Sequence, residues 1–162
     1  MSTLGRALLT TTAIITSTGC YIADWNATHI YNPLWLPHAK FHNAQTMAMG
    51  LVLGLLTFYY THASPSPLLA VKKAAKSRDS TAGHEEEALA LSREMRLHQL
   101  RFAVVCGSLY WVTQLMAWVY PEVAAVDPPA SKWFFPQAGV SAVVLAITAA
   151  GWHYEKKAIM GL

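Results

Sequence analysis

The sequence predicts an all-α integral membrane protein: a bundle of four transmembrane helices with both termini in the cytoplasm. Three observations carry that reading. Hydrophobic residues make up 54% of the 162-residue chain and charged residues only 13%, about half the share usual in soluble domains. The apolar residues gather into four long runs instead of scattering over one core. Lys and Arg divide ten to two between the faces that four spans would define, the asymmetry that separates cytoplasmic from non-cytoplasmic sides.

Each span has to cover a hydrocarbon core of about 30 Å, which takes about 20 helical residues. A helix pairs its backbone groups within one segment, as lipid requires. The first span is read over residues 6–23. It is rich in hydroxyls (Thr10, Thr11, Thr12, Thr16, Ser17 and Thr18), which bond the preceding turn or a neighbouring helix. Its Ser17-Thr18-Gly19-Cys20 string shares features with a cleaved leader. The usual Leu before the small residues is missing, so a retained helix is expected. The second span is read over 42–62, with Met47, Met49, Leu51, Val52, Leu53, Leu55 and Leu56 at its middle.

The third span is read over 99–120 and the fourth over 138–154, all within a single domain of residues 1–162. A cytoplasmic segment, 63–97, joins the second and third. Ser64-Pro65-Ser66-Pro67 closes the second helix, since Pro cannot continue it. The basic cluster from Lys72 to Arg78 is read as a topology signal, with contact to anionic lipid heads as the alternative. Glu85, Glu86 and Glu87 open a charged helix through Arg96, acidic first and basic last as the helix dipole favours. That helix is expected to run on into the third span. Gly50, Gly54, Gly107 and Gly139 would let helices approach closely. Cys20 and Cys106 differ in depth by about 12 Å at a rise of ~1.5 Å per residue. A disulfide tolerates ~7 Å between Cα atoms, so two free thiols are expected.

The cytoplasmic face would hold Arg6, Lys72, Lys73, Lys76, Arg78, Arg93, Arg96, Arg101, Lys156 and Lys157; the other holds Lys40 and Lys132. Phe58, Tyr59, Tyr60 and Trp152 would mark the inner interface. Trp118, Tyr120, Trp133, Phe134 and Phe135 would mark the outer one. The endoplasmic reticulum and a bacterial inner membrane both suit such a chain. His62, His98 and His153 fall at inner helix ends and are read as interfacial; His84 is read as solvent exposed. The basic residues interleave with no aromatic platform, which argues against nucleic acid as a partner.

Residues 24–45 are the informative stretch. They hold three of the seven histidines, His29, His38 and His42, among Asp24, Asn26, Asn32, Asn43 and Gln45. Gly, Ser and Pro would suffice for a plain connector. Pro37 suits the first turn of a helix, which puts His38 and His42 at i and i+4 on one face. Gln45 and Thr46 extend that face inward, and Asp24 ends the first helix at about the same depth. His29 on the intervening loop would fold back between them, giving a polar cup walled by Trp25, Trp35 and Phe41. Beneath it, Tyr110, Gln114 and Trp118 recur at helical spacing, with Gln114 expected to face the bundle interior. Glu122 and Asp127 on the second outer loop would approach the same mouth.

Three readings of the cup compete. His29, His38 and His42, with Asp24, would bind a metal, since imidazole suits zinc, copper or iron. The same residues would do acid–base work on a lipid-soluble substrate, with Asp24 orienting an imidazole. Or they tie loop to helices structurally.

The run Asp24-x-Asn26-x-Thr28-His29-x-x-Asn32-Pro33-x-Trp35-x-Pro37-His38-Ala39-Lys40-Phe41-His42 resembles a signature of small, uncharacterised four-helix membrane proteins of fungi and bacteria. That resemblance implies a four-helix membrane fold and brings no activity. At fold level the chain is also similar to small membrane oxygenases, isomerases and cyclases of fungal natural-product pathways, an analogy that carries no site residues.

The expected function is a small membrane-embedded enzyme acting on a hydrophobic small molecule, of isomerase, cyclase or oxygenase type. His38 and His42 are the expected general acid and base, His29 a further acid–base group and Asp24 their orienter. Asn26 and Gln45 would position polar substrate atoms, and Trp25, Trp35, Tyr110, Gln114 and Trp118 would bind the apolar part. The alternative is a non-catalytic subunit of a larger membrane complex, docking through the outer loop. Homo-oligomerisation is compatible with either.

Overall fold

Ser2 caps the first helix: its Oγ accepts from the Gly5 N–H at 3.0 Å, satisfying one of the donors a helix start leaves bare. The computed structural model describes residues 2–63, 82–126 and 135–162, with the side chains of 82–85 left aside. Its order is α1 (Thr3–Asp24), α2 (Pro37–His62), α3 (Ala82–Met116), a 3-10 turn (Ala117–Val119) and α4 (Pro136–Met160). The Ser64-Pro65-Ser66-Pro67 break, the Lys72–Arg78 cluster, the side chains of His84 and Glu85, and Asp127, Lys132, Trp133 and Phe134 lie outside the described residues.

Pro37 opens α2 and Pro136 opens α4, each at a position where a missing N–H costs little. Gly161 closes α4 in the left-handed conformation, φ 76°, with Leu162 N–H bonded to Lys157 O. The charged stretch from Glu86 runs without a break into the apolar part of α3, as expected. All regular structure among the described residues is helical, so the fold is all-α, with four helices among the described residues.

Each helix buries one narrow stripe. In α1 it is Gly5, Leu9, Thr12, Ala13, Thr16 and Cys20; in α2, Met47, Gly50, Leu53, Gly54, Thr57 and Thr61. In α4 it is Ser141, Val144, Thr148, Gly151 and Glu155. Spacings of three and four place each set on one face. α1 packs between α2 and α4, and α3 closes the ring on the far side. Consecutive helices run antiparallel: Gly54 meets Ala13 and Ser17 while Gly50 meets Thr16 and Cys20.

The stripes are rich in hydroxyls. Thr12, Thr16, Thr57, Thr148 and Ser141 are at most 1% exposed, whereas Ile14, Val52, Leu55, Phe102, Val105, Val140 and Val143 are each more than half exposed. Thr57 and Thr148 donate to Leu53 O and Val144 O of their own helices. The Thr148 proton being committed, Thr12 donates to Thr148 Oγ1 across the α1–α4 seam at 3.0 Å. Trp111 Nε1 donates to Thr16 Oγ1 at 2.9 Å.

Close approach rests on Gly5, Gly50, Gly54, Gly107 and Gly151, each with a neighbouring helix where a Cβ would stand. Gly139 is different from expectation: nothing lies within 4 Å of a Cβ there, because it sits away from the α4 stripe. Cys20 and Cys106 are both free. Among the described residues, one helical stretch, Glu86–Val119, is long and apolar enough by composition to cross a membrane. In the other three helices hydroxyls, glycines and terminal polar residues dilute the apolar run.

Candidate functional site

α1 ends at Asp24, where the chain turns on its own side chains. The Asp24 carbonyl accepts from the Asn26 and Ile30 amides. Asn26 Oδ1 accepts from Thr28 N at 2.8 Å and Thr28 Oγ1 at 2.6 Å, while its Nδ2 donates to Ala23 O. Asn32 repeats the device, donating to Thr28 O and accepting from Leu34 N. Such side-chain mimicry of a turn is what Asn does best. Trp25 Nε1 donates to Tyr31 Oη at 2.6 Å, so Trp25 braces the loop. Asn26 is likewise spent on the loop backbone.

His29 and Asp24 come together: Nε2 lies 3.7 Å from Asp24 Oδ1. On the other side of the ring, Nδ1 lies 2.8 Å from Thr28 Oγ1, and Trp35 packs edge-on with centroids 5.2 Å apart. The Thr28 proton goes to Asn26 Oδ1, so His29 Nδ1 is the donor to Thr28. An imidazolium satisfies both ring nitrogens at once, one toward Thr28 and one toward the carboxylate. Asp24 Oδ2 accepts from Asn43 Nδ2 at 2.8 Å, which ties the loop to α2. Asn43 Oδ1, shut off from solvent, has no partner.

His38 and His42 face each other, Nε2 to Nε2 at 3.1 Å, as i, i+4 neighbours. One donates and the other accepts, so the pair carries at most one positive charge while that bond stands. Both rings are exposed, as is Gln45. The three histidines thus fall into two groups, His29 with Asp24 and His38 with His42. No cluster of three or more His, Cys, Asp or Glu forms a metal site among the described residues.

The residues of the expected inner layer sit in separate surroundings, and Ile30 of the loop packs against the core that holds Tyr110. Tyr110 is buried in the core with Cys20, Met47 and Trp111. Gln114 accepts from Ser141 Oγ at 2.8 Å, joining α3 to α4. Trp118 stacks on Phe135. Glu122 is exposed, with φ 62°.

A second polar assembly occupies the opposite end of the bundle. Glu155, 5% exposed, accepts from Ser2 N at 2.9 Å. Arg6 Nη2 donates to His62 Nδ1 at 2.7 Å. His62 Nε2 meets Thr10 Oγ1 at 2.8 Å, and the Thr10 proton goes to Arg6 O. The roles follow by elimination: His62 is neutral, with its proton on Nε2. Burial, with Arg6 nearby, pushes the Arg96 guanidinium below its ordinary value, and Glu155 opposes that shift. In the sequence Arg6 and Arg96 read as topology charges and His62 as interfacial. The signal that this end is built was Glu155, an acid in phase with Ser141, Thr148 and Gly151 on the packing stripe of α4.

A family model described as a family of unknown function, DUF6640, matches residues 8–162. The chain belongs to that family. No curated protein and no solved structure matches it. The DUF6640 match takes in the whole 25–36 loop together with His62, Arg96 and Glu155, and begins just after Arg6.

Proposed function

We propose that the chain is a multi-pass membrane protein, four spans with both ends cytoplasmic, and a small enzyme that moves protons on a hydrophobic molecule at its outer rim. The inverted burial supports the membrane part. Hydroxyls fill the helix seams while branched apolar side chains cover the outside, the distribution expected where lipid and not water is the solvent. The ten-to-two distribution of Lys and Arg supports the orientation.

The observation that carries the enzymatic part is the Asp24–His29–Asn43 group with its orphan acceptor. A buried Asn oxygen without a donor is costly to leave unmade, and it lies on the residue that holds Asp24. A substrate hydroxyl or enol would supply the missing donor. His29, half-exposed and flanked by Asp24, would exchange a proton with the substrate, and Asp24 would steady the imidazolium. The exposed His38–His42 pair would relay that proton to water.

The test uses protein purified in detergent and extracted for organic-soluble molecules by mass spectrometry. The bound molecule should take up solvent deuterium when returned to wild-type protein in D2O. Uptake by a His29→Gln variant should be slower by about 100-fold or more, the usual share of a general acid–base group. Unchanged uptake in His29→Gln would remove His29 from the mechanism.

A second reading rests on the loop's outer face, where Tyr31, Leu34, Leu36 and Phe41 are 60–89% exposed on a rigid, self-bonded frame. A non-catalytic subunit would dock through such a face. Stoichiometric co-purification of another membrane protein, lost on Leu34→Asp, would favour it over the enzyme.

A further inference from the structure

The start of α1 and the end of α2 enclose a groove of about 430 Å³ lined by Ser2, Thr3, Arg6, Ala7, Thr10 and His62. It lies at the end of the bundle opposite the Asp24–His29 loop and shares no residue with it. Among the described residues, Arg6 is its only charged lining residue. The guanidinium is steered by the His62 bond, yet its Nε, shut off from solvent, has no partner. Its charge has no carboxylate partner either: the ion pairs among the described residues are His29–Asp24 and His98–Glu94. Nearby Glu155 is engaged with the Ser2 amide.

The hydroxyls of the groove divide into committed and available. The Thr10 proton is given to Arg6 O. Ser2 Oγ accepts from Gly5 N, which leaves its own O–H proton free to donate. Thr3 adds a second hydroxyl to the lining. The groove therefore offers a fixed cation, whose guanidinium carries N–H donors beyond the one given to His62, and hydroxyl donors beside it. That is the donor set of an anion site, and the guanidinium fork suits a tetrahedral oxyanion in particular.

We propose that this groove binds a phosphate group, with the Arg6 guanidinium as its charge partner and the Ser2 and Thr3 hydroxyls as further donors. Two sources share that chemistry, the head group of an anionic lipid and phosphate free in solution. The lipid source rests on the bilayer reading above, because Arg6 would then lie at the inner-leaflet boundary where lipid phosphates stand. The site itself does not depend on the chemistry of the outer loop.

The experiment measures thermal unfolding of the full chain in a neutral detergent. Short-chain phosphatidic acid is compared with diacylglycerol of the same chain length, which lacks only the phosphate, and with inorganic phosphate. Phosphatidic acid should raise the midpoint by several degrees more than diacylglycerol, as a ligand of the folded state does. Arg6→Gln should abolish that difference. Lys157→Gln, a charge removed at the same end but outside the groove, should keep it. An equal rise with inorganic phosphate assigns the soluble source; no rise with it assigns the lipid. Equal shifts from phosphatidic acid and diacylglycerol in the wild type overturn the proposal even if Arg6→Gln fails to fold, and so does an undiminished difference in a folded Arg6→Gln.

Discussion

A Cβ at Gly54 would stand 2.6 Å from the Ala13 carbonyl oxygen and 2.7 Å from Ser17 N. Both are backbone atoms of α1, so relief requires the whole helix to move. Gly54→Leu should destabilise the protein by roughly 1–3 kcal/mol, the range for overpacking, seen as a lower unfolding midpoint in detergent. At Gly139 the space is open, and Gly139→Ala should be neutral or stabilising by up to about 1 kcal/mol, the difference in helix propensity. The same measurement checks both, and a loss at Gly139 would contradict the packing described. In the sequence these two glycines looked alike. What separates them is the rotation of each helix about its own axis, which depends on partners far away in the chain.

The 25–36 loop is held at several points by Asn26, Asn32 and the Trp25–Tyr31 pair. Asn26→Ala removes one side chain that satisfies two donors and supplies one. It should cost about 1 kcal/mol, as loss of a capping side chain does. It should also open residues 25–32 to protease, read by limited digestion of the purified protein. Cleavage rates equal to wild type would mean that the Asn26 bonds do not set the loop. The sequence exposed the density of Asn, His and Trp here, and the Pro37 helix start, because those signals are local. It placed Asn26, Trp25 and Gln45 at a substrate. In the structure the first two bond within the loop and the third is exposed, a pattern that depends on which groups the fold brings beside them.

At the scale of the whole molecule, the four helices among the described residues were legible because apolar runs need no long-range information. The polar assembly of Ser2, Arg6, His62 and Glu155 was not, since it joins residues 153 positions apart at its widest. The proposed topology has a direct test. In a variant with Cys20 and Cys106 replaced by Ala, a cysteine at Tyr31 should react with an impermeant maleimide on intact cells or right-side-out vesicles. A cysteine at Leu162 should react only after permeabilisation. Labelling of both would reject the four-span arrangement, and labelling of Leu162 alone would reject the cytoplasmic placement of the ends.

The hydroxyl protons inside the seams have a consequence for biogenesis. Thr10, Thr57, Thr61 and Thr148 each donate to the carbonyl one turn back in the same helix. Those bonds exist before any helix meets another. In a bilayer, a helix released alone by the insertion machinery would carry few bare donors despite its threonines. Other bonds, among them Thr12 to Thr148, Trp111 to Thr16 and Ser141 to Gln114, form only between helices. On the membrane reading, insertion and association would thereby be separable events, and the Thr12–Thr148 bond would wait for the C-terminal helix to arrive.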